Sequence, residues 1–482
     1  MAAWTTAALA NAPARSLRPA ARPGSQSAPE QPLAAIIKGS GFAGTLSFAV
    51  ADLKSGKLLE AHQGDATLPP ASVAKAITAA FALDQLGPGH HFRTRLLGTG
   101  PVINGVLEGD LILQGGSDPT LDTDDLGDLA AALKAAGVSR VAGRFRVWGA
   151  ALPTIKAIDI SQPDHVGYNP ALAGLILNFN RVHFEWKRAQ GGYAITMEAR
   201  GTRYRTPVDT ARMAVVARKA PVYGYERKSG HDAWTVASGA LGVEGSRWLP
   251  VRDPVAYAGA AFYGLARQAG ISLKPPSVMT GTPTGQVLAQ HDSLPLRVIL
   301  ADMLRWSTNL TAEIVGMEAA RARRGSAPRT LRGSASVMNS WAKETLGLRN
   351  IALVDHSGLG DRSRISAGEM VQALRVIRQR EGLKPLLKPL TLRNSKGEPM
   401  KNHPVKVRSK TGTLNFVSGL AGYIDVPDGD ELVFAVFTAD MDRRNALSKA
   451  ERERPPGGRT WASRSRRLQS ALILRWARMA RA

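Results

Sequence analysis

Along this chain, apolar positions fall into blocks with either the twofold period of a strand or the 3.6-residue period of a helix. Residues 42–52 read as a strand, Ser55-Gly56 supplies a turn, and residues 57–61 return. After Pro69-Pro70, the apolar run 72–86 predicts a buried helix stopped by Gly87-Pro88. Residues 96–285 differ in texture. Short strand-like runs such as Gly109-Asp110-Leu111-Ile112-Leu113-Gln114-Gly115-Gly116 follow one another, with one helix expected over 126–136. The block reads as one or two inserted domains, mostly β. Helical periodicity resumes over 296–323, with Ser307 inside it or at a break. Strand patterns at 417–424 and 432–437, joined by Pro427-Asp428-Gly429, predict a hairpin. Residues 451–467 are rich in arginine, and a last helix carries Leu468, Leu472, Trp476 and Met479 on one face. Such a stripe lies on a membrane surface or, more commonly, packs on the protein's own sheet; packing is the expectation here. There is no internal repeat.

At 482 residues the chain has room for two or three domains with sizeable cores. Its 63 lysines and arginines against 39 acidic residues give a net charge of +24, which suits an anionic neighbourhood: a polyanion, a membrane surface or an acidic wall polymer. No zinc-finger spacing, phosphate-binding loop or RNA-binding aromatic motif is present, so nucleic acid is not expected as the partner. The absence of cysteine excludes disulfides, thiol nucleophiles and thiolate metal sites. No apolar run is long enough to cross a bilayer. Residues 1–12 are small and apolar with two A-x-A words, Ala8-Leu9-Ala10 and Ala10-Asn11-Ala12, and Arg15, Arg18 and Arg22 follow in a Pro-rich stretch. This reads as the tail of a secretory signal without its positive start, implying a periplasmic location; a disordered leader is the alternative. Residues 13–30 read as a flexible lead-in.

Three short words fit one active site: Ser72-Val73-Ala74-Lys75, Ser307-Thr308-Asn309 and Lys410-Thr411-Gly412. Ser72 and Lys75 lie one turn apart on one face of the predicted helix, where a neutral lysine can take the proton of a serine nucleophile. For that, Lys75 must have a depressed pKa, which burial and a nearby cation such as Lys410 would supply. The Ser307 hydroxyl can relay a proton, and the Asn309 amide can hold a substrate carbonyl. Lys410 and neighbouring hydroxyls can bind a carboxylate, while Gly412 lets a substrate backbone approach. Singly, each word has a plainer explanation: a helix cap for Ser72, a solvated face for Lys75, a turn for Ser307 and Asn309, a strand-edge lysine for Lys410. A second S-x-x-K, Ser340-Trp341-Ala342-Lys343, is followed by a charge and reads as an ordinary amphipathic helix.

This trio of motif types is that of β-lactamases and penicillin-binding proteins. The flanking words narrow the resemblance. They are Gly115-Gly116-Ser117-Asp118-Pro119-Thr120-Leu121, Asn178-Phe179-Asn180-Arg181-Val182, Asp355-His356-Ser357-Gly358-Leu359, and Lys410-Thr411-Gly412-Thr413-Leu414 with Leu420-Ala421-Gly422-Tyr423. Over roughly residues 30–475 the chain resembles the class C, penicillin-binding protein 4 type of D-alanyl-D-alanine carboxypeptidase/endopeptidase. The stretch from Ser72 to Ser307 is far longer than ordinary β-lactamases have. The resemblance implies an α+β, multidomain fold. Its transpeptidase-like domain, a five-stranded antiparallel sheet with helices, spans residues 31–95 and 289–482. Two β-rich domains interrupt it, one from residues 96–165 and 251–288 and one from 166–250. The resemblance makes Ser72 the acylated nucleophile, Lys75 its base, Ser307 and Asn309 the second catalytic element, and Lys410 with Thr411, Gly412 and Thr413 the substrate-binding strand. By the same resemblance the backbone N–H groups of Ser72 and Thr413 would form the oxyanion hole, and no metal or cofactor would take part. The resemblance further implies peptidoglycan stem peptides as substrates and acylation by β-lactams. A serine β-lactamase and a non-catalytic peptidoglycan-binding sensor are the alternatives. Two departures stand out: Trp148 occupies a position where such enzymes often carry an Asp facing the substrate's diamino acid, and His356 one where a second Gly is common.

Overall fold

The computed structural model describes residues 32–480 apart from 381, 395, 396, 428 and 430, so the expected signal remnant and lead-in of residues 1–30 lie outside the described residues. Both ends of the chain build one antiparallel sheet, in the order Leu58–His62, Thr45–Asp52, Glu431–Ala439, Val417–Asp425, Lys406–Leu414 and Lys388–Pro389. The expected five strands are present, and the two-residue segment Lys388–Pro389 adds an edge. Strand Glu431–Ala439 reads as a continuous apolar run because both of its faces are buried. Val433, Ala435 and Phe437 join the core beneath helices Lys75–Leu86, Leu296–Trp306 and Ala367–Arg380. Leu432, Phe434 and Val436 join a second core beneath helix Gly458–Met479.

That last helix settles the apolar stripe. Leu468, Leu472 and Trp476 are fully buried against the sheet. The Trp476 ring sits between Phe48 and Phe434, with centroids 5.4 and 5.8 Å away. Its indole N–H donates to Glu60 at 2.8 Å. The expected hairpin is also present, with Val417 opposite Ala439 and Asp425 opposite Glu431. Ser340 and Lys343 lie exposed on helix Leu331–Leu346.

Between these halves lies the β-rich block. One sheet runs Pro276–Val278, Phe145–Trp148, Leu111–Gln114, Arg93–Gly98, Gln286–Asp292. A four-stranded and a three-stranded sheet are built from residues 181–250. A single apolar core joins them, from Leu96 and Phe145 to Phe184 and Trp234. Two helices pack there rather than the expected one. Besides Thr123–Ala135, helix Pro254–Gln268 is capped by the Asp253 side chain on the Ala256 N–H, with Pro254 in its first turn. Those start signals were legible; its many small residues hid the periodicity.

Candidate active site

Pro69-Pro70 lead into a 3₁₀ turn, Ala71–Ala74, from which the α-helix Lys75–Leu86 continues. Ser72 therefore precedes the α-helix, not its first residue as the sequence predicts. A 3₁₀ turn eclipses residues three apart, so the pair still meets: Lys75 Nζ lies 2.8 Å from Ser72 Oγ. Lys75 is fully buried, and Nζ also bonds Asn309 Oδ1 and the Ser357 carbonyl, each at 2.7 Å. Burial, and then the charge of Lys410, hold the Lys75 ammonium well below the ordinary lysine range, against the pull of Glu313 and Asp355.

Ser307 sits at a break. It ends helix Leu296–Trp306 in the left-handed region, at φ 61°, and extended Thr308 leads into helix Asn309–Arg324. That kink, costly for a residue with a Cβ, points the hydroxyl at Lys410, whose Nζ donates to Ser307 Oγ at 2.9 Å and to the Thr411 carbonyl at 2.7 Å. Burial, and then Lys388, push Lys410 down to about 7. One amide proton of Asn309 goes to the Tyr168 carbonyl at 3.0 Å, which leaves the other for a ligand. Gly412 is where the strand passes the nucleophile: a Cβ there would lie 2.9 Å from Ser72 N. Thr411 and Thr413 are exposed on the strand face opposite Lys410.

The word Asp355-His356-Ser357-Gly358-Leu359 proves to be part of the shell that holds these groups, with Glu313 as its unannounced partner. Glu313 accepts the N–H groups of His356 and Ser357, at 3.1 and 2.9 Å, and Asp355 accepts those of Gly358 and Gly360, at 2.7 and 2.6 Å. Together they fix the segment whose Ser357 carbonyl receives Lys75. Burial pushes both carboxyls up, and Asp355 adds to this at Glu313. His356 fits because helix residue Gly316 leaves room: a Cβ there would lie 2.2 Å from the ring. Its Nε2 is 2.7 Å from Ser334 Oγ, and burial drives the imidazole down to about 3, so it stays neutral. Gly358, at φ 73°, has no room for a side chain: a Cβ would lie 1.8 Å from the Ala71 carbonyl oxygen, next to Ser72. Gly358→Ala is expected to cost about 3 kcal/mol, from left-handed strain plus overpacking, and to lower the melting midpoint by several degrees. An unchanged midpoint in calorimetry would show the turn to be looser than described.

Ser72, Ser307, Asn309 and Thr413 line a cleft of about 930 Å³, to which the inserted block contributes Gln162 and Tyr168. Trp148 does not reach it: it lies in strand Phe145–Trp148, with its indole N–H buried and unpaired. The arrangement can deprotonate a serine, hold a carboxylate beside it and deliver a proton to a leaving group, all with protein side chains. No group of His, Cys, Asp and Glu suited to a metal ion occurs among the described residues.

The sequence profile of the D-Ala-D-Ala carboxypeptidase 3 (S13) family matches residues 31–454. The D-alanyl-D-alanine carboxypeptidase of Actinomadura sp. (strain R39) is 27% identical over 435 residues, covering 83% of this chain and 79% of the relative. The D-alanyl-D-alanine carboxypeptidase DacB of Haemophilus influenzae is 24% identical over 433 residues, covering 84% and 88%. The crystal structure of penicillin-binding protein 4 from H. influenzae has the same fold, with a TM-score of 0.72 at 20% identity, covering 92% of this chain and 99% of that one.

Proposed function

Because the chain belongs to the D-Ala-D-Ala carboxypeptidase 3 (S13) family, it is a serine-type DD-peptidase of the penicillin-binding kind, and we propose that Ser72 is the residue it acylates. The observation that carries this assignment is the buried Lys75 ammonium 2.8 Å from Ser72 Oγ, held toward its neutral form. Neutral Lys75 takes the Ser72 proton as Oγ attacks the carbonyl of the penultimate D-Ala. The oxyanion meets the N–H groups of Ser72 and Thr413. Lys410 and Ser307 hold the terminal carboxylate and pass a proton to the departing amine, with Thr411 and Gly412 shaping the strand the peptide lies on. Water then attacks the acyl carbonyl and gives a proton through Ser307 to Lys410, while the Lys75 ammonium returns its proton to Ser72 Oγ as the ester breaks, which restores both lysines and releases peptide shortened by D-Ala. A cross-link whose amine is that of a diamino acid is opened by the same steps. Residues 31–95 with 289–482 supply this chemistry, and the insert divides into residues 96–165 with 251–288 and residues 166–250.

The two lysines give a sign to the pH dependence. Catalysis needs Lys75 neutral and Lys410 charged. As pH falls, Lys75 gains its proton and kcat/KM for D-Ala release from a D-Ala-D-Ala peptide drops. As pH rises past about 7, Lys410 loses its proton and kcat/KM drops again. Lys388→Gln removes one cause of the Lys410 shift, so the alkaline limb is expected to move to higher pH. A limb that stays in place would remove Lys410 from the role given to it.

The peptidoglycan substrate lies outside the cytoplasmic membrane, and the site of action in this reading is the periplasm. No described helix is long and apolar enough to cross a membrane. The charge of +24 supports peripheral contact with anionic membrane or wall. Binding to anionic lipid vesicles is expected to weaken strongly as salt rises from about 0.05 to 0.5 M, where the screening length falls to a few ångströms. Salt-independent binding would contradict this contact.

A further inference from the structure

One wall of the cleft has no part in the chemistry above. Arg444, Arg454, Arg459 and Arg466 line it, against a single acidic residue, Glu453, which is already paired with His165 at 3.0 Å. Arg454, Arg459 and Arg466 are exposed, and no ion pair holds any of the three among the described residues. The same wall contains the start of the 22-residue helix Gly458–Met479. No side chain caps that end, and its first turn carries no acidic residue, so N–H groups and the positive end of the helix dipole face the cleft. Arg444 is the independent observation. It is only 2% exposed, yet its Nε has no hydrogen-bond partner among the described residues. Nη1 donates to the Asn415 carbonyl at 2.9 Å, and Nη2 lies 3.5 Å from Asp361. The Asp361 carboxylate answers part of this buried charge, and Nε keeps a free donor that a second anion in the cleft would complete.

We propose that this wall is an anion subsite for a carboxylate on the acyl-donor arm of the substrate, the arm that stays on the serine. This rests on the DD-peptidase reading and specifies its substrate. Position decides which arm. The leaving D-Ala is held at Lys410 and Ser307. The donor arm lies past Thr413, where strand Lys406–Leu414 ends in the turn Asn415-Phe416, and Leu414, Asn415 and Phe416 all line the cleft. Arg444 is tied to Asn415, in the turn just beyond the strand end, and a substrate peptide extended past Thr413 advances about 3.3 Å per residue toward it. The carboxylate therefore belongs about two residues before the D-Ala whose carbonyl is attacked. The two anion sites flank Ser72, one for each arm.

The test compares two acetylated peptides ending in Lys-D-Ala-D-Ala, one with γ-linked D-glutamate before the lysine and one with its α-amide, D-isoglutamine. The parent enzyme is expected to prefer the carboxylate peptide by about tenfold in kcat/KM, the size of one lost charge-assisted contact. In the exposed double variant Arg459→Gln/Arg466→Gln, the carboxylate peptide should fall to the level of the amide peptide, whose rate is unchanged. Equal rates on both peptides in the parent, a preference that survives in the variant, or equal loss on both peptides would overturn the subsite. D-Ala release from neither peptide by folded parent would instead overturn the DD-peptidase reading, and the subsite with it.

Discussion

Lys75→Met is expected to slow acylation by penicillin, and D-Ala release with it, by about a thousandfold, the contribution of a well-placed general base. The methionine keeps the volume of the lysine stem and removes only the amine. The helix Lys75–Leu86 is packed on every side, with Ala76, Ile77, Ala79, Ala80 and Phe81 all buried, so this turn is not expected to move. Three acceptors lose a donor in the exchange, Ser72 Oγ, Asn309 Oδ1 and the Ser357 carbonyl. Against that loss stands the removal of a buried ammonium whose desolvation is the main cause of its lowered pKa. Stability is therefore expected to change little while the rate collapses, and that separation is the diagnostic. Stopped-flow acylation with a fluorescent penicillin, together with a melting curve, measures both. Acylation within tenfold of the parent would mean that another group takes the proton of Ser72. Restoration of the rate at high pH would not be expected, because no other base contacts Oγ among the described hydrogen bonds.

How much of this could be read from the chain follows from where the information lies. Ser72 and Lys75 are three residues apart, so local geometry carried their contact even though the turn proved to be 3₁₀ rather than α. The motif at Ser307 left open whether it lay inside the helical run or at a break, and nothing local announced its left-handed backbone. The terminal stripe of Leu468, Leu472 and Trp476 was legible because one face of the helix is apolar over several turns. The supporting shell was legible only as the word Asp355-His356-Ser357-Gly358-Leu359, without the role those residues play. Glu313 looks like one more polar position on a helix until the fold carries His356 and Ser357 to it. Tyr168 and Gln162 reach the cleft from the inserted block, and only the fold shows that this loop turns toward Asn309. The arginines of residues 451–467 were visible as a charge-rich run, but a run of charge does not reveal that part of it forms a wall facing Ser72. Backbone acceptors such as the Ser357 carbonyl leave no trace in residue identity at all.

The nucleophile remains the center of the account. Ser72→Ala removes the only atom that can carry the acyl group in the proposed mechanism, and the alanine Cβ fits where the serine Cβ stood, so the variant should fold as the parent does. Ser340→Ala is the matched control. It breaks an identical S-x-x-K word whose serine and lysine both lie exposed, away from the cleft. The deciding measurement is the intact mass of parent, Ser72→Ala and Ser340→Ala after mixing with penicillin. One adduct on the parent and on Ser340→Ala, and none on Ser72→Ala, is the predicted result. An adduct that persists in Ser72→Ala, or its absence from all three folded proteins, would contradict the assignment of Ser72 as the acylated residue.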